Sequence, residues 1–207
     1  MSLAKGFWLA LALLNLLLLA LFQYGPDAGP WATIPGNWEL AYRMFTGSWF
    51  HADSSHLLSN LLSLNLLAVG SYLIWPRQWT SLFLWSWALS SVLLFMMGQP
   101  GSHHIGASTW VYAYGFFLMG QGLVYKHPQY RRIMFAAFLW YGNMWQGMLP
   151  FLVPEQMSWE GHLAGAAAGS SYLLFFRTSM KQQAKQVLGV RDMEEADDSS
   201  PNPYDLL

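Results

Sequence analysis

Six apolar stretches, each near the length a bilayer core demands, decide most of what this chain can fold into. They run at roughly 7–23, 55–74, 79–97, 107–125, 132–150 and 160–177, and a spanning helix needs about 20 apolar residues. In lipid a segment must satisfy its backbone polar groups internally, so the runs predict helices and an all-α membrane protein. Composition agrees, with 54% apolar and only 10% charged residues. Twelve Trp and ten Tyr suit the headgroup boundary, and eighteen Gly suit close helix contacts. Lys5 before the first run resembles the start of a signal peptide, but no small-x-small cleavage site follows, so a retained helix is expected.

Basic residues set the orientation. Of the ten Lys and Arg, all but Arg43 (Lys5, Arg77, Lys126, Arg131, Arg132, Arg177, Lys181, Lys185 and Arg191) lie before the first run or after the second, fourth and sixth. The positive-inside rule then puts both termini in the cytoplasm, as expected for a multi-pass protein of the cell (inner) membrane. The second, fourth and sixth helices all start at the outer face.

Residues 1–180 read as one membrane domain, and 181–207 as a cytoplasmic acidic tail with the composition of disorder. Residues 24–54 form a long outer loop whose Trp31, Trp38, Phe45, Trp49 and Phe50 are expected to lie partly in the interface. A net charge of −1 gives no nucleic-acid footprint, and the absence of Cys removes disulfides and thiolate chemistry. The expected partners are the lipid bilayer and transmembrane protein substrates, with no nucleic acid; no oligomeric state is assigned.

Each of those three outer-face starts carries polar residues, which are costly at the edge of hydrocarbon. Ser108 follows Gly106 and Ala107. A serine in an apolar helix usually bonds back to a carbonyl one turn earlier. At a helix start, however, its own N–H has no intrahelical acceptor and points where an oxyanion would be stabilised. His162 shares a face with Gly165 and Gly169, and Gly161, Gly165 and Gly169 form a small-xxx-small ridge for close helix approach. Ordinary packing explains such a ridge, and so does bringing a neighbour within reach of His162. Ser and His at one depth are the minimum for nucleophilic acyl transfer. His56 and Asn60, four apart, stack on one face and offer side-chain donors to an oxyanion.

A metal centre is the chemical rival, with His51, His56, His103, His104 and His162 on the outer side. No His-Glu-x-x-His element occurs, and Asp27, Asp53, Glu155 and Glu160 read as loop acids. No metal and no cofactor are expected, and His103 and His104 read as loop residues flanking the serine.

From about Trp38 to Arg177 the chain resembles the bacterial rhomboids, intramembrane serine proteases with a basic six-helix core. The likeness rests on Tyr42-Arg43, His51 with His56-x-x-x-Asn60, Gly106-x-Ser108 with Tyr112, His162-x-x-Gly165-x-x-x-Gly169, and the run Ser158-Trp159-Glu160-Gly161-His162. The resemblance implies a six-transmembrane-helix bundle and a Ser108–His162 dyad without a catalytic aspartate. It also implies an oxyanion site from His56, Asn60 and the Ser108 N–H, with Tyr112 packed on the His162 ring. Two positions depart from the family pattern: Tyr42 stands for the usual Trp, and Thr109 for the Gly that usually follows the nucleophile. Threonine there is expected to narrow the residues accepted beside the cut without abolishing chemistry. The rivals are a pseudoprotease that holds membrane clients without cutting them and a transporter or channel, whose buried ionic groups are missing from the runs.

Overall fold

The computed structural model describes residues 2–125, 127–154 and 157–188. Helix α1 spans Leu3–Tyr24, α2 Ser54–Ile74, α3 Trp79–Met97, α4 Ser108–Tyr125, α5 Pro128–Tyr141, α6 Trp159–Phe175 and α7 Arg177–Leu188. Short 3-10 segments occupy the outer loop and follow α5 as Gly142–Met148. Among the described residues the only β pairing is an isolated bridge between Thr33 and His104. The protein is an all-helical membrane bundle, and among the described residues three helices (α1, α2 and α3) are long and apolar enough to cross a membrane by length and composition.

Helix α4 forms the centre. Twelve of its eighteen residues are buried, and it packs against α2, α3, α5 and, most extensively, α6. A helix enclosed by protein does not need the lipid-facing apolar surface that α1 carries, so it can hold Gln121 and four tyrosine or tryptophan side chains. Gln121 is satisfied inside the bundle, accepting from Trp75 Nε1 at 2.9 Å and donating to the Phe117 carbonyl at 3.1 Å.

Helix α1 lies at the edge, with only Phe7 and Leu18 buried. Two contacts hold it to α2. The side chains of Asn15 and Asn65 exchange hydrogen bonds at 2.9 and 2.6 Å, and each amide also donates to the carbonyl four residues earlier. One end lower, the Phe7 and Tyr72 rings stack at 4.0 Å.

Two expectations change. The run at 132–150 is not one helix. It begins earlier, at Pro128, which suits a first helical turn, and gives way at Gly142 to the 3-10 segment, where Gly142, Asn143 and Gly147 are weak helix formers. The boundary at 181 falls inside α7, which reaches Leu188 and is anchored by the fully buried Met180. The remainder of the acidic tail, with Lys126 and Glu155, lies outside the described residues.

The outer loop's aromatics dock on protein rings. Trp49 meets Phe83, Trp87 and Trp110 edge to face, Phe45 meets Trp87, and Trp38 meets Phe95. Trp38 nonetheless keeps an exposed flank. This clamp fixes the loop against α3 and the N-terminal end of α4.

Candidate active site

The α6 glycine ridge faces the helix that carries Ser108. A Cβ added at Gly165 would collide with the Thr109 carbonyl oxygen, and one at Gly169 with the Ala113 carbonyl oxygen. Gly161 sits against the Thr109 methyl, where an added Cβ would lie 3.5 Å away. Backbone-to-backbone contact therefore brings the N-terminal ends of α4 and α6 together.

Ser108 is the first residue of α4, and among the described residues its N–H has no hydrogen-bond acceptor. Ala107 before it caps the helix through its carbonyl, which accepts from Trp110 and Val111. Gly106 has φ +113°, a conformation that favours glycine. A Cβ there would also meet His56 Cε1 and Nε2 at 2.5 and 2.6 Å and Asn60 Nδ2 at 3.4 Å. The two α2 side chains thus converge on Gly106, two residues before the serine, through space that only a missing side chain provides. Asn60 Nδ2 is buried with no partner, a donor held ready without an acceptor.

His162 is buried, and its Nδ1 lies 2.8 Å from the Gly147 carbonyl in the 3-10 segment. A carbonyl can only accept, so Nδ1 carries the proton and Nε2 is left as the basic nitrogen. The Tyr112 ring, one turn below Ser108, stacks on the His162 ring at 4.0 Å and 7°. Gly147 is required as well, because a Cβ there would fall on the Tyr112 hydroxyl. Among the described residues no hydrogen bond joins Ser108 Oγ to His162.

Several residues around the site were named in the sequence without a structural role. Asp53 caps α2, accepting from the His56 N–H at 2.8 Å and the Ser55 hydroxyl at 2.5 Å, and those bonds hold its carboxyl below the ordinary range. Its signal was available as an acid three residues before His56 at a helix start. His51 Nε2 accepts from the Ala107 N–H at 3.3 Å, bracing the loop that presents Ser108. Burial pushes His51 down to about 4, with His56 adding to the effect and Asp53 opposing it. Glu160 is not a loop acid. It occupies the first turn of α6 and is buried there, a position the helix dipole favours. His103 is exposed.

Thr109 is turned inward. Only 4% of it is exposed, its hydroxyl lies 3.4 Å from Ser48 Oγ, and its methyl faces Gly161. With Ser48, Ser108, His104 and Ser158 it lines a polar cavity of about 10 Å³. A second space, an apolar crevice of about 330 Å³, opens between α2 and α5 and is lined by Leu66, Gly70, Leu73, Ile133, Ala137 and Trp140 among others.

Among the described residues no cluster of three His, Cys, Asp or Glu side chains has the placement of a metal site. Tyr42 and Arg43 lie in the exposed part of the outer loop, the guanidinium 5.9 Å from the Tyr42 ring centre.

Uncharacterized proteins of Mycobacterium tuberculosis and Mycobacterium bovis are each 31% identical to this chain over 136 residues, 60% of its length and 55% of theirs. One from Mycobacterium leprae is 30% identical over 136 residues, covering 60% and 52%. The chain thus spans about half the length of the curated relatives it matches. The model of the rhomboid domain matches residues 39–179, well over half the sequence and the whole of the site just described, and the chain therefore belongs to the rhomboid family.

Proposed function

We propose that this protein is an intramembrane serine endopeptidase that cuts transmembrane substrates near the outer face through a Ser108–His162 dyad. The observation that carries the reading is a serine at the N-terminus of α4, the helix against which α6 packs most closely, together with an α6 histidine whose Nδ1 proton is committed to Gly147. Ser108 Oγ attacks the scissile carbonyl carbon while its proton passes to His162 Nε2. The oxyanion so formed accepts from the Ser108 N–H, from Asn60 Nδ2 and from His56, at the positive end of the α4 dipole. His162 then returns the proton to the departing amine, leaving an acyl group on Ser108. Water, deprotonated by the same Nε2, releases that acyl group as a carboxylate and restores the serine.

The α2–α5 crevice is apolar and is lined by the C-terminal half of α2 and by Leu118, away from the Ser108 end of α4, which suits the helical part of a membrane-embedded substrate. The six-span arrangement, both termini in the cytoplasm and placement in the inner membrane belong to the same proposal, as does chemistry without a cofactor. Thr109 packs at the α4–α6 junction, its hydroxyl near Ser48 and its methyl against Gly161, a placement compatible with an active enzyme. The test is cleavage of a transmembrane reporter by the purified protein in detergent, together with labelling by a serine-reactive phosphonate. Cleavage and labelling that both vanish in Ser108→Ala support the reading. An unlabelled, inactive wild type would leave a client-binding protein as the better description.

A further inference from the structure

We propose that His104 is a positioning residue for this site, acting as a strap that sets α6, and with it His162, against the loop that presents Ser108. The proposal rests on the peptidase reading above and adds a residue to it.

His104 is buried in the loop four residues before Ser108, and both ring nitrogens are engaged. Its Nδ1 lies 2.6 Å from Ser158 Oγ and its Nε2 lies 2.6 Å from Ser102 Oγ. The surrounding partners fix every proton. The Ser102 hydroxyl donates to the Gln99 carbonyl at 2.5 Å, which cannot donate back, so Ser102 Oγ must accept from His104 Nε2–H. In the neutral ring Nδ1 is then the acceptor, and the Ser158 hydroxyl donates to it. Ser158 Oγ in turn accepts the Gly161 N–H at 3.0 Å, as the N-cap of α6. One directed chain therefore runs from the backbone next to His162, through Ser158, His104 and Ser102, into the loop before Ser108. Burial lowers the His104 basicity and keeps the ring in the neutral form that this chain uses, with Glu160 opposing and His103 reinforcing the shift.

The anchor at the other end is equally definite. The His104 backbone pairs with Thr33 in both directions at 2.9 Å, and the Gly106 N–H donates to the Gly47 carbonyl at 3.0 Å. The loop is thus fastened to the outer loop by its backbone and to α6 by one side chain. The glycine ridge fixes how closely α4 and α6 approach. It leaves the outer tip of α6 to be aligned by whatever holds Ser158, and His104 holds it.

The experiment compares His104→Ala, His104→Asn, Ser158→Ala and the His104→Ala/Ser158→Ala double variant. His104→Ala removes the strap but leaves the Ser158 cap intact, so the two roles separate. Since a misplacement of about 1 Å can cost roughly a hundredfold in rate, kcat should fall tenfold to a hundredfold in His104→Ala with KM little changed. Asparagine can accept at the place of Nδ1 and should recover much of the loss, and the double variant should be no slower than Ser158→Ala alone. A second readout does not depend on turnover: imidazole nitrogen spectra of the Ser108→Ala protein, in which His104→Ala and Ser158→Ala should each shift the His162 resonances. Unmoved His162 resonances in both, or full activity in His104→Ala, would overturn the strap. Shifted resonances in a protein whose wild type never cleaves would retain the strap and reject the peptidase.

Discussion

Replacing Gly165 by alanine tests whether the α4–α6 approach is what brings the dyad together. The new Cβ would strike the Thr109 carbonyl oxygen and lie 3.0 Å from both the Thr109 carbonyl carbon and Tyr112 Cβ. Carbon atoms rest at about 3.5–4.0 Å, so the helices must part by about 0.5–1 Å at the level of Ser108 and His162. Neither obstacle can step aside, because one is helical backbone and the other is the residue stacked on His162. Overpacking of this kind costs about 1–3 kcal/mol, and a displacement of about 1 Å in the dyad costs roughly a hundredfold in rate. Gly120→Ala is the matched control: its Cβ would meet only the tip of Leu173, a flexible side chain, at 2.6 Å. Reporter cleavage and denaturant unfolding should therefore show Gly165→Ala crippled in both and Gly120→Ala close to wild type. A Gly165→Ala protein that cleaves at the wild-type rate would refute the argument that the ridge positions the dyad.

Ser108→Ala and His162→Ala should each abolish reporter cleavage while the protein stays folded, and Asn60→Ala should slow it by about ten-squared to ten-cubed, the usual cost of one oxyanion donor. Asn15→Leu or Asn65→Leu should each cost about 0.6–1.7 kcal/mol in unfolding assays, and the double variant should cost less than the sum because one loss already orphans the partner. His51 is held below its ordinary value, so folding binds fewer protons than the unfolded chain. Its contribution is present above about pH 6.5 and is lost as pH falls toward 4. Unfolding measured across that window should flatten in His51→Asn. Cysteines placed at 53 or 102 in this Cys-free chain should react with an impermeant reagent from outside and those at 128 or 183 should not; labelling at 128 in intact cells would reverse the orientation.

The helices were legible where an apolar run was bounded by clear stops. The runs 55–74, 79–97 and 107–125 correspond to Ser54–Ile74, Trp79–Met97 and Ser108–Tyr125. The run at 132–150 misled because hydropathy does not register that Gly142, Asn143 and Gly147 weaken a helix. Within the site, the nearness of Gly106 to His56 and Asn60 could not be read from spacing, since it depends on how the outer loop and α2 are docked. His104 read as a bystander because its partners, Ser102 and Ser158, are ordinary residue types. Yet Ser158 ahead of Glu160 and an apolar run carried a recognisable N-cap signal. Threonine at 109 was expected to narrow the residues accepted beside the cut; with 3.6 residues per turn that position points about 100° away from Ser108 around α4, and the packing of α6 turns it inward.

The enclosure of α4 has a bearing on how the surrounding lipid can act on the site. The surface that meets lipid is carried above all by α1, with contributions from α2, α3 and α5, while the helix bearing Ser108 is sheathed by its neighbours. Hydrophobic thickness is therefore sensed by the outer helices, which can tilt to match it. The height of the serine within the bilayer follows from where those helices settle. On the proposed peptidase reading, thicker or thinner lipid would raise or lower the serine against a substrate's own helix, shifting which bond is presented while the contact between α4 and α6 stays intact.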